Sequence, residues 1–234
     1  MDSQWIKNLR IVIEIIVVLA VMSSAKWVAD SFEITGAGSI AMWIGIIIAM
    51  FFMKRRDINF YSLGLRLPKG RREWIFNLAL SLAGVIIVII FMVFVLSPIT
   101  TNLGLETPPE SHDRFAFFLG KPILFLSYLV LVVWIGAAMG EELLFRGFIL
   151  NRLADLFGTS KLGWFFALFL HAILFGSLHA YQGIPGIIGA AAVALIFGVI
   201  YLVAKRRLFP VILAHGLLNT ISLSAYYFSD GAIT

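Results

Sequence analysis

The sequence predicts an all-α, polytopic membrane bundle of about seven transmembrane helices. Of its 234 residues, 61% are hydrophobic and only 13% are charged, and the mean hydropathy is +0.98. Soluble domains carry about 25% charged residues, so most of this chain is expected to face lipid or other helices. Apolar stretches long enough to cross a bilayer recur along its whole length. A single membrane domain, residues 1–234, is therefore expected, beginning with a retained helix rather than a cleaved signal.

Seven apolar segments account for the expected helices. They run approximately over 11–29, 38–53, 74–97, 122–140, 162–180, 186–204 and 209–228. Glycines and a proline cluster at 183–189, which indicates a broken helix or a re-entrant turn there, covered by protein or water. The segments show no internal repeat of the kind typical of transporters, so a proton-coupled transporter is the least favoured interpretation.

The positive charges are distributed unevenly between the two ends of the predicted bundle. If the N-terminus is cytoplasmic, all 18 lysines and arginines except Lys26, Arg114 and Lys121 lie on the cytoplasmic side, including the basic loop 54–73. The positive-inside rule therefore predicts a cytoplasmic N-terminus in a plasma (inner) membrane. Because this bias explains the net charge of +5, the expected partner is the lipid bilayer, and no nucleic acid is expected.

The chain contains no cysteine. Disulfides, cysteine nucleophiles, cysteine-bound zinc and iron–sulfur clusters are therefore excluded as functional elements.

The fourth apolar segment runs directly into Glu141, Glu142 and Arg146. Ionisable side chains at membrane depth are costly and indicate a functional site. Glu142 and Arg146 lie one helical turn apart and are expected to form an ion pair that offsets their desolvation. Consecutive helical residues point about 100° apart, so Glu141 is expected to face another neighbour and to remain available as a base.

Two further polar pairs have the same one-turn spacing: Phe175 with His179, and His215 with Asn219. Glu141 lies 18 residues before Thr159, in the predicted turn, and His179 lies 20 residues after it. In an antiparallel hairpin the two side chains would stand at one height, where they could meet. His215 follows the start of the last segment closely, so we expect one polar layer roughly 10 to 15 Å below the cytoplasmic face, opening to the cytoplasm.

Three other ionisable residues serve as comparisons. His171 has no paired acid or amide and is interpreted as a structural or rim residue. His112, in the acidic outer loop, is interpreted as solvated. Glu14 is a single acid in the first segment, for which snorkelling or an interhelical bond is expected rather than catalysis.

These residue types suggest hydrolysis. A carboxylate and a neutral imidazole can orient and deprotonate water, and a second histidine with an asparagine amide can donate hydrogen bonds to an oxyanion. Glu141, His179 and His215 would also match the ligand set of a hydrolytic zinc site. The sequence does not separate the two chemistries, although no HExxH motif is present.

The three motifs resemble those of one known family. They read Glu141-Glu142-Leu143-Leu144-Phe145-Arg146, Phe175-Gly176-Ser177-Leu178-His179 and His215-Gly216-Leu217-Leu218-Asn219. In this order they resemble the EExxxR, FxxxH and HxxxN motifs of the CPBP family, which joins type II CAAX prenyl endopeptidases with bacteriocin-processing and immunity (Abi) proteins. The likeness covers about 122–228, and the segment 62–66 is similar to one often found upstream in that family.

The resemblance implies roles for these residues. Glu141 and His179 would activate water, and His215 and Asn219 would form the oxyanion site. Glu142, Arg146 and Phe175 would support them. It implies an intramembrane endopeptidase without a cofactor, acting on a membrane-associated or lipidated peptide, with zinc as the alternative. A non-proteolytic immunity or scaffold protein on the same fold is the rival function, and the oligomeric state stays open.

Overall fold

A computed structural model describes residues 4–108, 111 and 114–232, and the regular structure of these residues is entirely helical. The helices are α1 (Gln4–Ser31), α2 (Ala37–Lys54), α3 (Gly70–Asn102), α4 (Pro122–Phe157), α5 (Lys161–Ser177), α6 (Gly183–Val203) and α7 (Phe209–Phe228). Single 3₁₀ turns lie at Ala116–Phe118 and Ala180–Gln182. Six of these helices are long and apolar enough to cross a membrane, and α5 is a shorter apolar helix. The predicted all-α membrane bundle is confirmed.

Helix α4 lies between α2 and α7 and carries the acidic motif. Small residues let α2 approach it closely: a side chain at Gly136 would meet the Ser39 hydroxyl, and one at Gly45 would contact Leu144. Between Leu129 and Ile149 the backbone of α4 is wound as a π-helix.

The interior has two separate hydrophobic clusters. The larger one, here called the inner core, lies toward the basic end of the bundle and includes Phe145, Phe148, Phe197 and Tyr201. The smaller one, here called the aromatic cap, lies toward the first turns of α4 and the end of α7. Its buried members are Phe118, Phe125, Leu129, Val133, Leu223 and Tyr226. Phe175, one of the predicted site residues, belongs to the inner core.

The loop between α2 and α3 is fastened to the loop between α6 and α7. The carbonyl of Gly64 accepts a hydrogen bond from the backbone N–H of Leu208 at 2.9 Å, and the hydroxyl of Tyr201 donates to the carbonyl of Leu63, also at 2.9 Å. Gly64 has a φ of 105°, and a Cβ there would lie 1.8 Å from the carbonyl oxygen of Arg206. Only glycine permits this approach. We call this contact the loop clamp.

The expected broken or re-entrant segment at 183–189 is not present. These residues form the first turns of α6, and the interruption lies earlier, at the 3₁₀ turn Ala180–Gln182. Gly183 has a φ of 73°, which lets the chain turn into α6. Pro185 sits in the first turn of α6, where a missing N–H costs no helical hydrogen bond.

Glu14 forms the expected bond between elements of the bundle. Its carboxylate lies 2.6 Å from the guanidinium of Arg56, just after the end of α2. The acid in the first helix is therefore paired structurally, as predicted.

Candidate active site

The predicted pairing of Glu142 with Arg146 is confirmed. The Arg146 Nη1 donates to the Glu142 Oε1 at 2.8 Å, and both side chains are fully buried. The guanidinium also lies 5.0 Å from the ring centre of Phe175 on α5 and 5.7 Å from that of Phe197 on α6. The ion pair therefore ties α4 to two other helices.

Glu142 has a second partner, which sequence reasoning missed. The Nδ1 of His215, on α7, lies 2.8 Å from the same Oε1. A carboxylate can only accept, so this ring nitrogen carries a hydrogen. Spacing along one helix could not reveal a contact between residues 73 positions apart. The available signal was the similar depth predicted for the two residues.

His179 lies two residues after the end of α5, and a backbone contact indicates its tautomer. Its Nδ1 is 2.9 Å from the backbone carbonyl of Phe175. Since a carbonyl oxygen only accepts, Nδ1 donates, and the neutral ring presents a lone pair at Nε2. The Phe175 ring packs against it, with a centre-to-centre distance of 4.9 Å. The FxxxH spacing therefore positions the imidazole through both a hydrogen bond and a ring contact.

Glu141 is half-buried, beside the fully buried Glu142. No hydrogen bond or ion pair joins Glu141 to His179, both of which lie in the described part of the chain. The ring centres of Phe145 and Phe175 are 4.8 Å apart, and these residues lie one turn from Glu141 and His179 respectively. This antiparallel register places the carboxylate and the imidazole at one level. Direct contact between them remains a prediction.

Asn219 is half-buried on α7, one turn beyond His215. Between the two, the indole of Trp134 covers Gly216, where a Cβ would come within 2.5 Å of the ring. The position of the Asn219 amide as an oxyanion donor also remains a prediction.

His171 is fully buried, with its ring centre 6.0 Å from that of Phe145, so its placement at a rim is wrong and its structural interpretation stands. Neither of its ring nitrogens has a hydrogen-bond partner among the described residues. His112 lies outside the described residues.

The zinc alternative requires Glu141, His179 and His215 to converge. Within residues 4–108, 111 and 114–232, no three histidine, aspartate or glutamate side chains are grouped to hold a metal ion. The three residues therefore do not fit a preformed zinc site.

The fold and these side chains define a broad class, a multi-pass membrane protein with acids, imidazoles and an amide distributed around one level of its bundle. Comparison with known families narrows this class. The family model described as Type II CAAX prenyl endopeptidase Rce1-like matches residues 123–221. The match confirms the resemblance of the three motifs and is consistent with the CPBP, or CAAX protease, family, which implies a protease and hence a hydrolase. No curated protein and no solved structure matches the chain.

Proposed function

We propose that this protein is an intramembrane endopeptidase that uses water activated by Glu141 and His179. The observation that carries the proposal is the contact of the His179 Nδ1 with the backbone carbonyl of Phe175. The Phe175 carbonyl engages Nδ1, so the lone pair at Nε2 is free to accept a proton at the level of Glu141. A base and a carboxylate held there supply what water-mediated hydrolysis requires.

In the proposed reaction, water lies between the Glu141 carboxylate and the His179 Nε2. One of these groups takes a proton from water, and the oxygen attacks the carbonyl carbon of the scissile peptide bond. The resulting tetrahedral intermediate carries an oxyanion. When it collapses, the C–N bond breaks and the stored proton passes to the leaving amine.

His215 and Asn219 would hold the oxyanion. Because Nδ1 of His215 donates to Glu142, its Nε2 can donate only when the ring is doubly protonated. The Asn219 amide would supply the second donor. Removing one such donor in a known protease costs about 10² to 10³ in rate.

The proposed substrate is a membrane-associated or lipidated peptide, cut without a bound metal. We further propose that the N-terminus is cytoplasmic and that the protein lies in the plasma (inner) membrane, because the basic loop 54–73 marks that end by the positive-inside rule. The six candidate membrane spans establish an integral multi-pass protein.

Glu141→Gln removes the proposed base while keeping the side-chain volume. We expect uncut precursors to accumulate in membrane proteomes of cells that carry this variant instead of the wild type. Exposed Glu33→Gln is the matched control and should leave processing unchanged.

Complete processing by Glu141→Gln would contradict the proposal. If the protein confers bacteriocin immunity and this immunity survives in both Glu141→Gln and His179→Ala, a binding or immunity role on the same fold would be favoured instead. Stoichiometric zinc in the active purified protein, lost together with activity, would replace the proposed chemistry with a metal-dependent one.

A further inference from the structure

A cavity lies at the basic end of the bundle, between the start of α5 and the end of α6. It has a volume of about 540 Å³ and is lined by Thr159, Trp164, Leu202, Lys205 and Arg206. Thr159, Lys205 and Arg206 are exposed, so the cavity is accessible from outside the protein at its polar side. Its volume is in the usual range for ligand sites, about 300–1,000 Å³. We call it the basic cavity.

The packing of α5 against α6 places the basic cavity. A Cβ at Gly198 on α6 would lie 2.5 Å from the side chain of Leu168 on α5, so the two helices are in close contact at this level. Four residues further toward the basic end of each antiparallel helix are Trp164 and Leu202, which line the cavity. The cavity therefore lies where this close contact ends and the two helices continue into their turns.

The two turns beside the basic cavity are rich in positive charge. Residues 158–161 and 204–208 contain four cations and no acid. One of the four, Arg207, is paired with Glu73. Neither Lys205 nor Arg206 forms an ion pair within the described part of the chain. The two cations that line the cavity are therefore not neutralised by a carboxylate of the protein.

Backbone hydrogen bonds hold both turns in place. After α6, the backbone N–H of Arg206 donates to the carbonyl of Tyr201 at 2.8 Å. Before α5, the Ser160 hydroxyl accepts from the backbone N–H of Gly163 at 3.1 Å. A site whose backbone is already ordered loses less conformational entropy when a ligand binds. The walls of the basic cavity are therefore formed before any ligand arrives.

The two lining cations have an unusual backbone conformation. Lys205 has a φ of 56° and Arg206 a φ of 58°, in the left-handed region that favours glycine and is costly for residues with a Cβ. The positive-inside rule accounts for basic residues in this loop, but it does not require them at these two positions. The strained placement of both cations therefore indicates a role for their side chains at the cavity.

We propose that the basic cavity binds a phosphate group, carried either by an anionic phospholipid or by a small soluble molecule. Lys205 and Arg206 supply the positive charge, and a guanidinium can donate two parallel hydrogen bonds to a phosphate. The Thr159 hydroxyl and the Trp164 indole N–H are further donors. Basic pockets between membrane helices at the cytoplasmic end are typical sites for anionic headgroups. The site is separate from the proposed active site, because Trp164 precedes Phe175 by eleven residues, about 16 Å along α5.

The conformation of Lys205 provides a variant that separates binding from folding. Lys205→Gly removes the cation and introduces the residue that adopts a positive φ without strain, so we expect the variant to resist a denaturing detergent at least as well as the wild type. Its dissociation constant for dioctanoyl phosphatidic acid should rise about tenfold, because a hydrogen bond to a charged group is lost. Native mass spectrometry in a neutral detergent measures this change, since wild type and variant differ in mass and compete for the lipid in one sample.

Arg71→Gln is the matched control. Arg71 is an exposed cation in the first turn of α3, at the same end of the bundle but outside the lining of the basic cavity. We expect its loss to change the dissociation constant by less than about twofold, because exposed charges at a distance are screened. Equal weakening by Arg71→Gln and Lys205→Gly would overturn the proposal, since general positive charge rather than the cavity would then hold the lipid.

Three ligands identify the source of the phosphate group. Dioctanoyl phosphatidic acid and dioctanoylglycerol have the same acyl chains and differ in the phosphate, whereas inorganic phosphate has no chain. Phosphatidic acid that binds and is not displaced by millimolar inorganic phosphate would assign the site to a lipid headgroup. Inorganic phosphate that displaces the lipid, or that binds alone to the wild type but not to Lys205→Gly, would assign it to a soluble phosphate. Equal binding of phosphatidic acid and dioctanoylglycerol, or no binding of either phosphate compound, would overturn the proposal.

Discussion

The two halves of α4 are both predominantly apolar in sequence, but they differ in how deeply their side chains are buried. Residues 142–154 are buried throughout and pack into the inner core, whereas residues 129–141 alternate between buried and partly exposed. The boundary falls between Glu141 and Glu142, two identical side chains. On one side of it, the fully buried Glu142 carboxylate is bonded through Oε1 to Arg146 and His215; on the other, Glu141 is half-buried and has no hydrogen bond or ion pair within the described part of the chain. The difference in packing therefore distinguishes Glu142, which has a structural role, from Glu141, the candidate catalytic base.

The largest effect on the difference between Glu141 and Glu142 is expected from removing the positive charge of Arg146, which pairs with Glu142. Arg146→Met removes the guanidinium from the buried Glu142 carboxylate and leaves the Nδ1 of His215 bonded to it. We expect a loss of about 3–5 kcal/mol in the free energy of unfolding, measured by titrating folded protein in mild detergent with a denaturing one. Glu141→Gln, at the half-buried neighbour, should change that free energy little. Equal losses in the two variants would show that the boundary has no energetic meaning.

A second substitution tests how firmly the packed end is held together. Gly64→Ala combines a positive φ with a clash against the Arg206 carbonyl in the loop clamp. We expect a loss of about 2–4 kcal/mol, since backbone strain alone costs roughly 1–3 kcal/mol. Gly70→Ala is the matched control, because its φ is 75° but a Cβ there meets nothing within 4 Å. If both variants lose the same stability in the detergent titration, the clamp contact contributes nothing beyond the φ angle.

The smallest effect is expected from the hydrogen bonds behind the clamp. The Tyr201 hydroxyl donates to Leu63 and accepts from the Asn151 amide at 2.9 Å. Tyr201→Phe should cost about 1–2 kcal/mol, because a buried carbonyl loses its donor. Tyr61→Phe, at a ring that is 59% exposed, should be neutral by the same measurement. An unchanged free energy of unfolding in Tyr201→Phe would show that water replaces the hydroxyl as the hydrogen-bond donor.

The sequence was sufficient for the parts of the fold that depend on composition and on one-turn spacing. Hydropathy predicted the helices because lipid requires each spanning segment to satisfy its own backbone, and i to i+4 spacing predicted the Glu142–Arg146 pair. The Glu142–His215 bond was missed because it depends on how α4 and α7 pack, which no local pattern records. The glycine cluster at 183–189 was misread for a related reason, since glycine marks a change of direction without saying whether the next helix is intact. The contact between Glu141 and His179 stays a prediction, supported by the hairpin count in the sequence and by the helix register in the structure.

The loop clamp also has a consequence for how the protein is made. Gly64 lies in the first third of the chain, but its partners, Arg206 and Leu208, are synthesised only near its end. The ribosome therefore delivers α1, α2 and α3 to the membrane before the contact that fastens their connecting loop exists. The loop clamp cannot form until the loop between α6 and α7 has been synthesised. During this interval the inserted N-terminal helices lack that contact, and the nascent protein is expected to be most susceptible to a quality-control protease.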